Sequence, residues 1–386
     1  MSRPYTIALL PGDGIGGEVV GHARRVLEVV AELDGLTLTF DECPGGAQYF
    51  LTNGQDWPED AEQRCADADA IILGAVGWPA PNGRGTAMRP DGKMAGWSLI
   101  VGNRIGLDLY ANIRPVKLLP GVRHMISGKH KQVWEPENVD MVFIRENTED
   151  LYSGAGGVLA PGREAQVAVD SRIITRRGTE RIVRLAYETA MRHGRERADG
   201  VRRVTCVVKD NILHGCRLFV RIFEEIGEQY PQVEREVVLV DAFTQWLVRQ
   251  PEHYDVVVAP NMFGDIITDL ASALQGGMGL SVGCNVGDRH GMFEPIHGSA
   301  PKHAGLDKVN PLAAILAASE ALKWLGSRHS DDALSVAGGR IDAAVREVLR
   351  KGETLTYDLV GTQRAASGTA VTEAVVSELA SSLALQ

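Results

Sequence analysis

Short apolar runs recur along the chain and alternate with longer segments in which apolar residues are spaced three or four positions apart. Such runs are typical of buried strands, whereas the longer spacing is typical of amphipathic helices. Strands are predicted at residues 6–10, 37–40, 70–73, 140–144, 204–208, 234–240 and 256–258, and helices up to about residue 30, at 97–105, 177–193, 311–325 and in the C-terminal tail. This alternation predicts an α/β fold with a largely parallel sheet.

The stretch Asp255 to Leu280, DVVVAPNMFGDIITDLASALQGGMGL, combines a buried strand with a helix that carries Asp265 and Asp269. Aspartates four residues apart share one helical face, where their like charges repel unless a cation lies between them. Carboxylate oxygens suit a hard ion such as Mg²⁺ or Mn²⁺. A solvated helix face is the alternative, but the neighbouring residues are largely apolar, and α/β sheets bind ligands where strands end.

Composition narrows the function classes. The chain has 386 residues and a net charge of −10, which predicts one or two globular domains and disfavours nucleic-acid binding. No apolar run approaches the roughly 20 residues that span a bilayer, so no membrane segment is expected. The N-terminus is typical of a first strand rather than a signal peptide. Five scattered cysteines favour reduced thiols and a cytoplasmic location.

Charged residues lie where several predicted strands end or where loops begin. These residues are Arg104, Arg114, Arg145, Lys209 and Asp241, and Tyr152 follows Arg145 closely in sequence. Guanidinium groups have the fork geometry that binds carboxylates. Each arginine alone is open to interpretation as a surface residue, but three at strand or loop ends of an acidic protein indicate an anion pocket.

Three further segments carry local signals. Gly12, Gly14 and Gly17 satisfy GxGxxG between a strand and a helix, which is the dinucleotide-binding context. The acidic residue expected after the second strand comes late, so a glycine turn beside a ligand is the alternative. The glycine-rich, basic loop at 291–311 enters a helix and is suited to cradling phosphate. Polar and apolar residues alternate within 154–174, which predicts a hairpin or arm.

Six blocks, taken together, resemble the metal-dependent β-decarboxylating dehydrogenases, which include isocitrate, 3-isopropylmalate, homoisocitrate, tartrate and D-malate dehydrogenases. The blocks are GDGIGGE, LDLYANIRP, RENTEDLYSG, Lys209-x-Asn211, NMFGDIITD and EPIHGSAP, in the family's order and over almost the whole chain. The resemblance implies an isopropylmalate dehydrogenase-like α/β fold with two domains, a large mixed sheet flanked by helices and a β-arm at a dimer interface. It implies a cofactor-binding large domain of residues 1–109 and 276–386. The small domain, 110–275, would hold the metal site and a dimerisation arm at about 153–175.

The resemblance also implies residue roles. Tyr152 and Lys209 would be the general acid and base, and Asp241, Asp265 and Asp269 would bind the metal ion. Lys209 and Asp241 would come from the second subunit of a homodimer with shared active sites. Substrate contacts would come from Ser98, Ile100, Arg104, Arg114, Arg145 and Asp241. The cofactor would contact Glu294, His297, Gly298, Ser299, Ala300, Lys302, His303, Val309, Asn310 and Tyr357.

The implied reaction is the oxidative decarboxylation of a 3-substituted (2R)-malate, a hydroxy-di- or tricarboxylic acid. Hydride passes from C2 to the nicotinamide, the metal ion polarises the resulting 2-keto group, CO₂ leaves, and Tyr152 protonates the enolate carbon. NAD-linked members resemble GSAPD, and this chain has Lys302, followed by His303, at the position of that aspartate. The block APKHAGLDKVNP is similar to the corresponding block of NADP-linked isocitrate dehydrogenases. With Tyr357 this favours NADP over NAD, although Gly361 stands where an arginine is expected.

The substituent pocket has a mixed pattern. Ser98 is similar to the serine of isocitrate enzymes, whereas Ile100 and Val101 resemble the apolar pair of isopropylmalate enzymes, and Trp97 matches neither. An unusual malate from a specialised pathway, or a tartrate or D-malate type of substrate, is therefore an alternative. Two other classes stay open, namely a non-catalytic regulatory subunit of the same family and an unrelated α/β phosphate-binding module.

Overall fold

The structure is a computed structural model, and it describes residues 3–160, 165–192 and 199–383. Strands occupy β1 (Tyr5–Gly12), β2 (Leu38–Glu42), β3 (Ala70–Ala75), β4 (Ala111–Lys117), β5 (His124–Ile126), β6 (Lys129–Lys131), β7 (Asp140–Glu146), β8 (Gly156–Leu159), β9 (Val167–Asp170), β10 (Arg203–Val208), β11 (Glu234–Leu239), β12 (Val256–Ala259), β13 (Val282–Val286) and β14 (Gly291–Pro295). The predicted α/β class is confirmed, because helices follow most of these strands.

The α-helices are α1 (Gly16–Asp34), α2 (Ala47–Asn53), α3 (Ala61–Asp67), α4 (Asn103–Gly106), α5 (Arg176–Arg192), α6 (His214–Gly227), α7 (Val240–Arg249), α8 (Asn261–Leu274), α9 (Leu312–His329), α10 (Asp332–Lys351), α11 (Tyr357–Val360) and α12 (Gly368–Leu383). None of those in the described ranges has the length and apolarity that crossing a membrane requires. The chain divides into two compact units. The first comprises the described parts of Met1–Leu109, Leu118–Pro136 and Gln275–Gln386, and the second comprises those of Tyr110–Lys117 and Glu137–Leu274.

The first unit is built on strands in the order β13-β14-β3-β1-β2, parallel except for the β13–β14 pair. Every residue of β3, AIILGA, is buried, which is typical of a strand covered on both faces. Helices α1 and α9 pack on this sheet, and α10 and α12 pack against them. Helix α9 buries apolar residues on most of its circumference, because it lies between the sheet and α10.

Two of the three glycines in the GxGxxG segment, Gly12 and Gly14, allow close backbone packing around the turn after β1, whereas Gly17 has no atom within 4 Å of its Cβ position. A Cβ atom at Gly12 would overlap the carbonyl of Ala75, and one at Gly14 would overlap the carbonyl of Ser299. Between them, the buried Asp13 carboxylate accepts the backbone N–H groups of Ala47 (2.8 Å), Gln48 (2.7 Å) and Gly77 (2.8 Å). Asp13 therefore caps α2 and ties three segments of the first unit together.

The second unit is built on strands in the order β11-β10-β12-β7-β4, in which only the β7–β4 pair is antiparallel. Helix α8 packs on β7 and β4, α5 packs on β12 and β7, and α6 packs on α5. The carboxyl ends of β7, β10 and β12 meet at one edge of this sheet because the strands are parallel. Arg145 lies near the end of β7, Lys209 directly follows β10, and α8 follows β12.

The structure differs from several predicted boundaries of domains, strands and loops. The segment Leu118–Pro136, expected in the central domain 110–275, belongs to the first unit. Its β5–β6 hairpin packs on α11, and His130 Nε2 is 2.9 Å from the carbonyl oxygen of Asp358. Asp241 lies in the first turn of α7 rather than at the end of a strand, because β11 stops at Leu239. Glu294 lies in β14 and not in a loop.

The helix expected at 97–105 contains a π-helical turn, Ser98–Gly102, before α4. The arm expected at about 153–175 contains the antiparallel β8–β9 hairpin, and residues 161–164 at its centre lie outside the described residues. Val158, Leu159, Val167 and Val169 of this hairpin are all exposed.

Replacing Asp13 with Ala removes the shared acceptor of three backbone N–H groups. We expect a loss of about 2–4 kcal/mol of stability, since buried donors without an acceptor keep their desolvation cost. Thermal unfolding followed by circular dichroism measures it. Asp67→Ala is the matched control, because Asp67 is exposed and, among the described residues, its side chain accepts a hydrogen bond only from the Gln63 side chain. Equal melting temperatures for the two variants would contradict the capping role.

Candidate active site

Two arginines neutralise the aspartates of α8. Arg145 is buried, forms an ion pair with Asp265 through Nη1, and donates from Nε (3.0 Å) and Nη2 (2.7 Å) to Asn261 Oδ1. Arg114 Nη1 donates to Asp269 Oδ1 at 3.2 Å, and its Nη2 lies 3.6 Å from Asp265 Oδ1. The like charges that the sequence placed on one helical face are therefore balanced by guanidinium groups from β7 and β4.

Gly264 makes this arrangement sterically accessible. A Cβ atom at that position would lie 2.6 Å from Arg145 Cγ and 2.8 Å from Arg145 Cβ. Those distances are shorter than van der Waals contact, so any larger residue would displace the arginine from α8. Within α8, Thr268 accepts from Arg114 Nη1 at 2.6 Å and fixes the second guanidinium group.

The aspartates have the donor chemistry of a hard-metal site that is only partly closed. Asp269 is 61% exposed, and its Oδ2 accepts no hydrogen bond from the described residues. Within the described ranges of this single chain, no three His, Cys, Asp or Glu residues gather closely enough to hold a metal ion. Asp265 and Asp269 therefore fit Mg²⁺ or Mn²⁺ as two oxygen ligands, and further ligands must come from substrate, water or another chain.

Tyr152 contacts the same carboxylate. It lies in a 3-10 turn, Leu151–Ser153, and its hydroxyl donates to Asp265 Oδ2 at 3.1 Å. The guanidinium group of Arg145 lies 5.7 Å from the centre of its ring. Burial, and then the charge of Asp265, raises the pKa of the Tyr152 phenol above its ordinary value. The phenol is thus a protonated donor at neutral pH.

Lys209 and Asp241 form a separate pair. Lys209 Nζ donates to Asp241 Oδ1 at 2.8 Å, and this hydrogen bond lowers the pKa of the Asp241 carboxyl group. No hydrogen bond or ion pair among the described residues joins this pair to Asp265 or Asp269. The predicted base and the predicted third metal ligand therefore contact each other. Within one chain they form no such contact with the cluster of Tyr152, Asp265 and Asp269, which is called the Tyr152 group below.

In the first unit, Arg104 pairs with Glu294. Arg104 Nη2 donates to Glu294 Oε1 at 3.1 Å, and Asn285 Nδ2 donates to the same oxygen at 2.7 Å. Arg104 Nε is buried and has no hydrogen-bond partner among the described residues. An arginine with one satisfied and one unsatisfied edge is suited to receiving a carboxylate or another acceptor.

The loop from His297 to Asn310 has two buried ring nitrogens without a described partner, His297 Nε2 and His303 Nδ1. Burial lowers the pKa of His297, which keeps its ring neutral at neutral pH. Ser299 Oγ donates to Gly77 O at 2.5 Å. Ala300 adopts a left-handed conformation before the 3-10 turn Pro301–His303, which contains Lys302. Unsatisfied polar atoms along a glycine-rich loop are consistent with a nucleotide site.

The end of this loop lies beside Tyr357. The His303 ring is centred 6.1 Å from the Tyr357 ring, and Lys308 Nζ lies 5.8 Å from its centre. Asn310 Nδ2 donates to Asp358 Oδ2 at 2.9 Å. Val309 and Asn310 are buried, and Gly298 precedes Ser299 in the same loop. Lys308 was not predicted as a site residue, although it lies within the APKHAGLDKVNP block.

A buried carboxylate that the sequence analysis missed holds Ser98. Asp56 accepts from Gly96 N (2.8 Å), Ser98 N (3.0 Å), Ser98 Oγ (2.8 Å) and Arg89 Nη1 (2.9 Å). Although burial opposes ionisation, these hydrogen bonds keep the pKa of Asp56 below its ordinary value. The single hydroxyl hydrogen of Ser98 is thus engaged.

Asp56 and Ser98 border a cavity of about 450 Å³, and apolar side chains line another part of it. Those side chains include Phe50, Trp57, Pro58 and Pro90. Ile100 lies two residues further on, is half-buried and packs on the core around Leu99. No short-range signal marked Asp56, because its partners lie more than thirty positions away in sequence.

Comparisons with known proteins show the family to which the chain belongs. The family model described as isocitrate/isopropylmalate dehydrogenase matches residues 6–375. A 3-isopropylmalate dehydrogenase of Thermobifida fusca is 42% identical over 91% of this chain and 92% of its own length. A decarboxylating D-malate dehydrogenase of Escherichia coli is 35% identical over 94% of this chain and 95% of its own length.

A solved structure shows a similar fold. The crystal structure of isocitrate dehydrogenase from Methylococcus capsulatus superposes with a TM-score of 0.81, at 33% identity, over 97% of this chain and 99% of that chain. The fold expected from the sequence motifs is confirmed by this likeness. The chain belongs to the isocitrate/isopropylmalate dehydrogenase family and is an oxidoreductase of the decarboxylating dehydrogenase type.

Proposed function

We propose that the protein catalyses the NAD(P)-dependent oxidative decarboxylation of a 3-substituted (2R)-malate to a 2-oxo acid and CO₂, with Mg²⁺ or Mn²⁺. One observation carries the proposal: the Tyr152 phenol donates to Asp265, a carboxylate that Arg145 also binds. A proton donor, acidic metal ligands and guanidinium groups are thereby gathered at the carboxyl ends of strands. The relatives named as 3-isopropylmalate and D-malate dehydrogenases support the same reaction type.

The chain's own residues divide the work. Arg114 and Arg145 bind substrate carboxylates through their guanidinium groups. Arg104, which belongs to the first unit, is also a carboxylate-binding residue, because its buried Nε has no hydrogen-bond partner among the described residues. Tyr152 delivers a proton to the carbon that loses CO₂. Lys209 accepts the proton of the C2 hydroxyl group after transferring its own proton to solvent.

Asp265 and Asp269, with Asp241 from a second copy, would hold the divalent ion. Their oxygen donors fit a hard cation, and Asp269 leaves one oxygen unused among the described residues. When bound, the ion supplies Lewis-acid polarisation of the 2-keto oxygen. The positive charges of Arg114 and Arg145 offset the negative charges of the two aspartates, which reduces the repulsion between them.

A homodimer with shared active sites accounts for the separation of Lys209 and Asp241 from the Tyr152 group. Within one chain these two residues satisfy each other, and Asp241 is largely exposed. The exposed apolar residues of the β8–β9 hairpin supply a surface that association would bury. A C₂ dimer would bring each Lys209–Asp241 pair to the partner's aspartates in a symmetric manner.

The substituent at C3 is apolar or absent rather than anionic. Ser98 gives its hydroxyl hydrogen to Asp56, which keeps its negative charge, so Ser98 has no hydrogen left for a carboxylate. Ile100 and Val101 then offer apolar contact. This favours a 3-isopropylmalate or D-malate type of substrate over an isocitrate type, and an unusual apolar malate from a specialised pathway is the alternative.

The proposed cofactor is NADP, with NAD as the alternative. Lys302, His303 and Lys308 supply positive or hydrogen-bonding groups in the loop beside Tyr357, and no acidic residue stands at position 302. A 2′-phosphate would gain charge-assisted hydrogen bonds there. Asp358, the acidic residue nearest in sequence to Tyr357, is engaged by Asn310 and Thr356.

Incubation with Mn²⁺, NADP⁺ or NAD⁺ and a panel of substituted malates should yield reduced nicotinamide and CO₂ in equal amounts. Because no hydrogen of Ser98 is free, kcat/KM for 3-isopropylmalate or D-malate should exceed that for isocitrate by about tenfold or more, as expected for a mismatched polar contact. Removal of the metal by EDTA should abolish turnover. Absence of turnover on every malate, with both cofactors, would favour a regulatory subunit or a phosphate-binding module.

Tyr152→Phe should lower kcat by about 10²–10⁴-fold, because the proton donor is lost while the ring remains. Lys209→Met should also be inactive. Unfolding the two variants, mixing them and refolding the mixture tests whether each active site takes residues from both chains of a dimer. A hybrid dimer would contain one site with both groups intact, so about a quarter of the normal activity should return in a random mixture. Sites contained within one chain would give no recovery.

Lys302→Met should weaken NADP⁺ binding by about tenfold, the loss of one charge-assisted contact, and leave NAD⁺ binding unchanged. Calorimetric titration of each dinucleotide measures this without turnover. Lys351→Met is the control, because Lys351 pairs with Glu378 and Glu347 at the surface of the same unit. Equal losses for both dinucleotides would refute a 2′-phosphate contact at Lys302.

A further inference from the structure

Asp150 has a strained backbone directly before the turn that holds Tyr152. Its φ is 69° and its ψ is −148°, a left-handed region that residues with a Cβ atom rarely adopt. Such strain persists only where the surroundings over-determine the conformation, and it concentrates at functional sites. The side chain of Asp150 is fully buried, so the contacts of its carboxylate decide whether the turn is held.

Arg172 supplies the charge that Asp150 needs. Arg172 Nε forms an ion pair with Asp150 Oδ1 at 2.7 Å, and Nη2 donates to Oδ2 at 3.2 Å, so the guanidinium group contacts both carboxylate oxygens. The guanidinium group also lies 4.5 Å from the centre of the Phe263 ring. The backbone of Asp150 donates to Ile173 O at 2.8 Å, which joins the same two segments a second time. Arg172 and Ile173, which follow β9, therefore hold Asp150 in place through an ion pair and a backbone hydrogen bond, and Arg172 also contacts the Phe263 ring.

The same carboxylate reaches the start of α8. Met262 N donates to Asp150 Oδ2 at 3.0 Å, and Asn261 Nδ2 donates to Glu149 O at 3.1 Å. Two successive residues before Tyr152 thus bind the first turn of the helix that carries Asp265. Tyr152 itself is 40% exposed, so its own packing does little to fix the phenol.

We propose that the Asp150–Arg172 ion pair is a positioning clamp that holds the strained turn on α8 and thereby keeps the Tyr152 hydroxyl on Asp265. Among the described residues, Arg172 and Asp150 form no hydrogen bond or ion pair with Tyr152, Asp265 or Asp269, so they act through the turn and the helix. The catalytic consequence rests on the function proposed for Tyr152, whereas the clamp itself is a property of the fold. A buried ion pair that served stability alone would give the same melting temperature effect but no selective loss of kcat.

Arg172→Gln is the principal variant, with Arg172→Lys as the conservative one. Arg203→Gln is the matched control, because Arg203 is a buried arginine of the same unit that pairs with Glu234 and lies at the opposite, amino-terminal end of β10. Arg172→Gln should lower kcat by about 10- to 100-fold through misplacement of the phenol. The KM for substrate and the dissociation constant for Mn²⁺ should stay within about twofold, since the ligands and arginines remain. Arg172→Lys should recover part of kcat.

Hydrogen–deuterium exchange tests the clamp without turnover. Arg172→Gln should accelerate exchange in peptides covering residues 147–153 and 261–269, and Arg203→Gln should leave both unchanged. Unaltered exchange in Arg172→Gln, or an equal loss of kcat in Arg203→Gln, would overturn the clamp. Absence of turnover in the unsubstituted protein would instead refute the proposed function and leave the exchange result decisive.

Asp150→Gly keeps the proposal testable if loss of the charge pair prevents folding. Glycine adopts the left-handed conformation without strain, so the turn can form, but it lacks the carboxylate that binds Arg172 and Met262 N. We expect this variant to fold and to show the same loss of kcat and the same faster exchange. Full kcat in Asp150→Gly would show that the turn places Tyr152 without the ion pair.

Discussion

The charge of Arg145 is the constraint on which the second unit depends. A buried guanidinium group without partners would be destabilising by several kcal/mol, so acceptors must surround it. Asn261 and Asp265 are those acceptors, and both lie on α8. Gly264 lets the helix approach closely enough for them to reach. The position of α8 on the sheet, and therefore the position of every group that contacts Asp265, follows from satisfying this one cation.

This constraint changes the explanation of the paired aspartates. From the sequence alone, two carboxylates one helical turn apart repel each other, and this repulsion predicted a bound cation between them. The structure shows that arginines already balance them, from strands more than 115 positions away in sequence. The proposed metal ion would therefore bind between carboxylates whose repulsion the arginines already offset. Only the folded chain shows this, because periodicity carries no information about distant partners.

The order of strands and helices was predictable because each element carries its own apolar period. The strands near 70, 140, 204 and 256 and the helix of Asp265 and Asp269 were located within a few residues. The return of Leu118–Pro136 to the first unit was not predictable, since its short hairpin strands are mostly exposed and have no clear pattern. Asp56 was missed for a related reason. A single acidic residue among polar neighbours has the sequence pattern of a surface residue, and its partners Gly96 and Ser98 are close to it only in the folded chain.

The π-helical turn at Ser98–Gly102 limits what can be transferred between relatives by counting residues. An α-helix places positions three and four apart on one face, whereas a wider turn rotates all that precedes it relative to all that follows. Trp97 and Arg104 thus stand in a different angular relation from residues of equal spacing in a regular helix. Residues that align in sequence across this turn therefore do not necessarily point in the same direction in two relatives. Substrate preference in this segment must be inferred from the three-dimensional structure.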